Sequence, residues 1–165
     1  MSIPAGSTPP GTLDGHKNVL IVEDGDEYLE NLRRFAQGPN YFQAHSGSEA
    51  LTLLGVHEMA LVVLDMRFDR VPVSTLLGDI DKACREHGSV DNAYRHLAHN
   101  QGLYILAALR EHGYAELPVI LAYDFTREPR RFAHLARLHP SLTWLPDDVT
   151  ADELRTRIER LLRML

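Results

Sequence analysis

Short apolar runs that end in acids constrain this chain more than any other feature. Asn18–Glu23 reads NVLIVE and Ala60–Asp65 reads ALVVLD. Both are too short for a helix and rich in Val, Ile and Leu, so they predict strands buried on both faces. Leu117–Tyr123 (LPVILAY) and Leu142–Leu145 (LTWL) are of the same kind, and Tyr41–His45 (YFQAH) is a partly alternating version. Helical spacing fills the intervals. From Asp26, residues Tyr28, Leu29, Leu32, Phe35 and Ala36 share a face, and Gly38-Pro39 stops the helix. Ser46, Gly47 and Ser48 are cap candidates ahead of Ala50, Leu51, Leu53 and Leu54, while Glu128–Leu138 and Thr150–Leu165 form two later helices. Strands alternating with helices predict βαβ units with right-handed crossovers, and so an α/β fold with a doubly wound, five-stranded parallel sheet.

One segment breaks that rhythm. Between the third strand and Gln101-Gly102 lies a stretch far longer than a βα loop. STLLGDIDKACREHG has helical spacing through Leu76, Leu77, Ile80, Ala83 and Cys84, and Asp91–Asn100 is a second helical stretch that can run on into GLYILAALREHG. The expectation is a helical insertion over about residues 69–100 together with a lengthened third helix.

In an open parallel sheet, ligands gather at the carboxyl ends of the strands, where the strand order reverses. Strands one and three end there in Glu23-Asp24 and Asp65. If the two strands are neighbours, three carboxylates meet, and each raises the others' pKa unless a cation sits among them. Oxygen ligands of this kind suit Mg²⁺, and an aspartate beside Mg²⁺ is a competent nucleophile towards phosphorus. The plainer reading is that each acid caps a strand end or the helix that follows.

At these residues the chain resembles a response-regulator receiver domain. NVLIVEDGDEYLENL resembles the family's first strand, acidic pair and first helix. AHSGSEAL resembles its second strand-to-helix junction, and ALVVLDM the strand ending in the phosphoacceptor aspartate. LPVIL and LPDDVTADELRTRIERLL resemble the fourth strand and the passage from the fifth strand into the last helix. The resemblance covers residues 17–165 apart from the insertion, with residues 1–16 as a disordered lead-in. It implies a flavodoxin-like sheet of order 2-1-3-4-5, Asp65 as phosphoacceptor from a histidine kinase, and Mg²⁺ held by Asp24, Asp65, the backbone carbonyl of Arg67 and, through water, Glu23. Two departures are plain. The Thr or Ser that contacts the phosphoryl group aligns with Tyr123, with Thr126 close by, and the Lys before the proline after strand five is Leu145. The switch aromatic aligns with Leu142. Arg67, Arg127 and Arg130 are the candidate substitutes for the missing ammonium, because guanidinium groups suit phosphate.

Composition narrows the classes. Seventeen Lys and Arg against 23 Asp and Glu give a net charge of −6, which disfavours nucleic acid as a partner. No apolar run approaches the ~20 residues of a membrane span, the N-terminus lacks a secretion-signal pattern, and Cys84 is the single cysteine. A cytoplasmic setting is therefore expected. His96 and His99, with His87 and His112 nearby, could offer a zinc half-site but read better as a solvated helix face. Asp79, Asp81 and Asp91 read as surface charge, Trp144 and Cys84 as packing residues. No output domain is expected after the last helix. The expected function is an atypical single-domain receiver that is not an enzyme and signals through protein partners, homodimers included. A phosphorylation-independent docking module is the first alternative. A small Mg²⁺-dependent phosphohydrolase is the second, although LDMRFD lacks the second Asp of an aspartate-based phosphatase.

Overall fold

The computed structural model describes residues 16–165, so the expected lead-in, apart from His16, lies outside the described residues. Five parallel strands form one sheet in the order β2-β1-β3-β4-β5. They are β1 (Asn18–Val22), β2 (Asn40–Ala44), β3 (Leu61–Asp65), β4 (Val119–Ala122) and β5 (Leu142–Leu145). This is the order expected from the sequence. Val22 pairs with Leu64, and Asp65 with Ala122, so the ends of β1, β3 and β4 lie side by side.

Among the described residues the helices are α1 (Glu27–Phe35), α2 (Gly47–Val56), α3 (Ile80–His87), α4 (Val90–His99), α5 (Gln101–Glu111), α6 (Pro129–Leu138) and α7 (Ala151–Arg163), of which α3 and α4 pack on each other and the rest lie against the sheet. The apolar runs supply side chains to both faces, as parallel strands between helix layers must. Leu20, Val22, Val62, Leu64 and Leu121 pack on one face with Ala50, Leu54, Ile105, Leu106 and Leu109 from α2 and α5. Val19, Ile21, Val63 and Ile120 pack on the other with Leu29 and Leu32 of α1 and Leu154 and Ile158 of α7. Ser46 caps α2 by accepting the Glu49 N–H, and Thr150 and Glu153 form a reciprocal capping box at α7. Phe35 departs from expectation: it is 52% exposed, because Leu29, Leu32 and Ala36 define the buried stripe and Phe35 falls outside it. Its ring lies under the Arg34 guanidinium instead.

The insertion folds as a helical pair. Ala83, Ala93 and Leu97 form a small core of their own, flanked by Leu76, Ile80, Cys84, Tyr94 and Tyr104. Buried Gln101 stitches this unit to the domain: its side chain accepts the Leu77 N–H and donates to the carbonyls of Leu77 and Leu97.

The expected continuous run from Asp91–Asn100 into GLYILAALREHG is broken at Asn100, and a backbone exchange explains why. In an unbroken helix the Gly102 N–H would bond the Ala98 carbonyl. Here Gly102 donates to the Met66 carbonyl at 2.9 Å, and the Ala98 carbonyl accepts the Phe68 N–H at 2.9 Å. The loop after β3 has entered the helical ladder, satisfying the peptide groups that the break exposes. Only glycine permits this approach, since a Cβ on residue 102 would stand 2.6 Å from the Asp65 carbonyl oxygen and 2.9 Å from the Met66 Cα. Gly102→Ala is therefore expected to destabilise the fold by about 2 kcal/mol, a Tm loss of roughly 4–8 °C. Chemical and thermal unfolding followed by circular dichroism would measure it, and an unchanged midpoint would show that the loop is not held this closely.

Candidate functional site

The parallel ends of β1, β3 and β4 open onto a crevice of about 440 Å³. Glu23, Asp24, Asp65, Arg67, Arg70 and Tyr123 line it, with Glu27, Asp69 and Asp147 at its borders. The register of the sheet thus brings the three predicted acids, Arg67 and Tyr123 to one place. Thr126 and Leu145 do not line it.

Each acid has its own partners. Glu23, 1% exposed, turns back towards α1, where its carboxylate accepts the N–H groups of Tyr28 (3.1 Å) and Leu29 (3.2 Å). It does the work of an N-cap from the end of β1, and Asp26, the sequence neighbour of the helix, makes no side-chain cap. Burial nevertheless raises the Glu23 pKa, with the two peptide N–H groups opposing that shift.

Asp24 is gripped from the loop after β3. Its Oδ2 accepts the Asp69 and Arg70 N–H groups, both at 3.0 Å, and its Oδ1 accepts the Arg70 guanidinium at 2.9 Å. The same guanidinium forks onto the carboxylate of Glu27 in the first turn of α1. That hydrogen bond is the main reason the Glu27 pKa is drawn down to about 2. The Asp24 side chain is 6% exposed, so these donors account for nearly all of its surroundings.

Asp65 ends β3 and accepts the Met66 N–H at 2.8 Å. Desolvation pushes its pKa up to about 7; the neighbouring charges of Asp24 and Glu23 add to the rise, and the N–H groups of Met66 and Arg67 oppose it. Arg67 is exposed and has no ion-pair or hydrogen-bond partner for its guanidinium among the described residues.

The readout positions are committed to structure. The Tyr123 hydroxyl donates to Glu128, which raises the Tyr123 pKa, and Glu128 in turn pairs with Arg131 at 2.8 Å. Arg131 lies over the Tyr123 ring and donates to Asn100 Oδ1 at 2.8 Å, tying α6 to the junction of α4 and α5. Thr126 is exposed, and its N–H closes a turn onto Asp124. Leu145 is buried with Leu154 and Ile158, and only its carbonyl reaches back, to the Tyr123 N–H. Arg127 and Arg130 are exposed and do not line the crevice.

These residues do not fit a divalent ion as they stand. Both Asp24 oxygens have donors, Glu23 is turned onto α1, and among the described residues no three His, Cys, Asp or Glu side chains form a ligand set. The histidine pair of the insertion also makes no such set: the His87 and His96 rings stack 4.2 Å apart, and His99 faces Asp69 at 3.5 Å. Sequence reasoning missed Arg70. The available signal was Gly25 directly after the acid pair, where a Cβ would stand 2.8 Å from the Arg70 Cζ.

No family model matches the sequence, and no curated protein does. Solved structures do match in three dimensions. The receiver domain of the Francisella response regulator 1452 superposes with a TM-score of 0.61 at 18% identity, covering 90% of this chain and 98% of that one. The Vibrio cholerae chemotaxis protein CheY4 gives 0.59 at 16% identity, over 89% and 99%. The receiver domain of NtrX from Brucella abortus gives 0.57 at 18%, again over 89% and 99%. The chain therefore has the fold of response-regulator receiver domains.

Proposed function

We propose that the protein is a receiver-type signalling module that acts by docking to other proteins, and that its output does not depend on phosphorylation of Asp65. The carrying observation is the state of Tyr123 and Leu145. At the position where the resemblance calls for a mobile hydroxyl, Tyr123 is fastened to Glu128 beneath Arg131. Where it calls for an ammonium, Leu145 is packed into the core. A phosphoryl dianion on Asp65 would lack that charge-assisted contact, and a tethered tyrosine has no small hydroxyl to swing towards it. On this reading the protein is not an enzyme, and the inserted α3–α4 pair is the element that sets its docking surface apart.

A second reading keeps Asp65 as phosphoacceptor from a histidine kinase, with Asp24, Asp65, the Arg67 carbonyl and Glu23 as the residues that would hold Mg²⁺. It is favoured by Arg67, an exposed guanidinium at the crevice that could take over from the missing lysine. It also requires Arg70 to release Asp24. Incubation with acetyl phosphate and Mg²⁺, followed by intact-mass measurement, separates the two. The docking reading predicts no phosphoryl adduct; an adduct present in the wild type and absent from Asp65→Asn would replace it with the second reading. Turnover of a general phosphate ester that disappears in Asp65→Ala would point instead to the phosphohydrolase considered above.

The docking reading also predicts what Asp65→Asn does to stability. A folded pKa of about 7 against a reference of 3.8 means that the folded protein holds the proton more tightly than the unfolded chain. The stabilising contribution is thus complete at low pH and is lost as pH rises from about 4 to about 7. Asparagine removes the burden of the ionised carboxylate while keeping an acceptor for the Met66 N–H. Asp65→Asn should therefore be more stable than the wild type at pH 8 by about 1–2 kcal/mol, or roughly 3–6 °C in Tm, with the gap closing towards pH 4. Thermal melts across that range provide the check; a gap independent of pH would contradict the raised pKa.

A further inference from the structure

We propose that Arg70 is the resident cation of the crevice: it occupies the place at Asp24 that a divalent metal would need, so the protein binds Mg²⁺ and Mn²⁺ poorly until Arg70 is removed. The inference rests on the docking reading in that both describe a crevice built without a metal, but it stands on different residues. Three donors hold Asp24: the peptide N–H groups of Asp69 and Arg70 both on Oδ2, and the Arg70 guanidinium on Oδ1. Mg²⁺ requires ligand oxygens at about 2.0–2.1 Å in octahedral array. The one acceptor site left on Asp24 is on Oδ1, the oxygen already bonded to the Arg70 guanidinium, so an ion there would stand beside a positive charge that repels it.

The grip is built from several sides. Glu27 holds the second edge of the guanidinium fork. Gly25 leaves the space in which the fork lies, since any side chain there would overlap the Arg70 guanidinium. The loop that presents the Asp69 and Arg70 N–H groups is fixed from behind by Phe68 bonding to Ala98 and by His99 facing Asp69 at 3.5 Å. A cation carried on the chain itself relieves the repulsion between Asp24 and Glu27 permanently, whereas a metal would do so only when bound.

The test is Mn²⁺ binding to the 165-residue chain by isothermal titration calorimetry at neutral pH. We compare the wild type with Arg70→Ala, Gly25→Ala and the double variant Arg70→Ala/Asp24→Asn, using Trp144 fluorescence and circular dichroism to confirm folding. Arg70→Ala is expected to bind Mn²⁺ at least tenfold more tightly than the wild type, and the double variant is expected to lose the gain. Gly25→Ala, which displaces the guanidinium by overlap but keeps its charge, should show a smaller gain and keeps the proposal testable if Arg70→Ala does not fold. Equal affinities in the wild type and both single variants, or tight Mn²⁺ binding by the wild type, would overturn the proposal. The acetyl phosphate experiment is read independently. An Arg70→Ala protein that gains metal while the wild type takes no phosphoryl group supports both readings; one that gains no metal fails this inference and leaves the docking reading intact.

Discussion

Two backbone hydrogen bonds set the geometry of this molecule: Gly102 N–H to the Met66 carbonyl, and Phe68 N–H to the Ala98 carbonyl. They let the loop after β3 take the place of one rung of a helical ladder. The same exchange ends α4, begins α5 and fixes the path of the chain just beyond Asp65. Because that path is fixed, the Asp69 and Arg70 N–H groups face Asp24. The insertion is thus a structural part of the crevice rim. Gln101 extends the connection to Leu77, ahead of α3, and the Asn100–Arg131 contact extends it to α6.

The electrostatics follow from that frame. Parallel strands feeding one edge concentrate carboxylates where little water reaches them, and each has to be neutralised or compensated. Glu23 spends its charge on the open peptide groups of α1, Asp24 on the loop and Arg70, and Asp65 keeps a pKa near 7 with little more than peptide donors beside it. The acids of the site are those that the resemblance to receiver domains leads one to expect, and the cations are placed differently from that expectation. Arg70 stands at Asp24, Arg67 stands free at the rim, and the lysine position holds Leu145 in the core.

Much of the fold was legible because burial on both faces leaves an unmistakable composition. NVLIV and LVVLD can hardly be anything but central parallel strands, and the strand ends then locate the crevice. The last helix was legible as the amphipathic stretch Thr150–Leu165, and the inserted helix in the spacing of Ile80, Ala83 and Cys84. Phe35 was misplaced because a stripe of apolar residues on a short helix has edges that periodicity alone does not define. The break at Asn100 was missed although Asn, with Gly102 close behind it, favours helix ends; what fixes the interruption there is a loop remote in sequence.

Sequence alone determined the order of elements, the strand ends and the three acids at one edge, because local periodicity and burial are properties of contiguous residues. It also put Tyr123 and Leu145 where the resemblance to receiver domains leads one to expect Thr or Ser and Lys. Tertiary structure alone decided the partners of those acids. Arg70 is 46 positions from Asp24 along the chain and 2.9 Å from it in space. Such pairing depends on where a loop is held; here Gly102 and the rung at Ala98 hold it, and Gly25 leaves room for the Arg70 guanidinium.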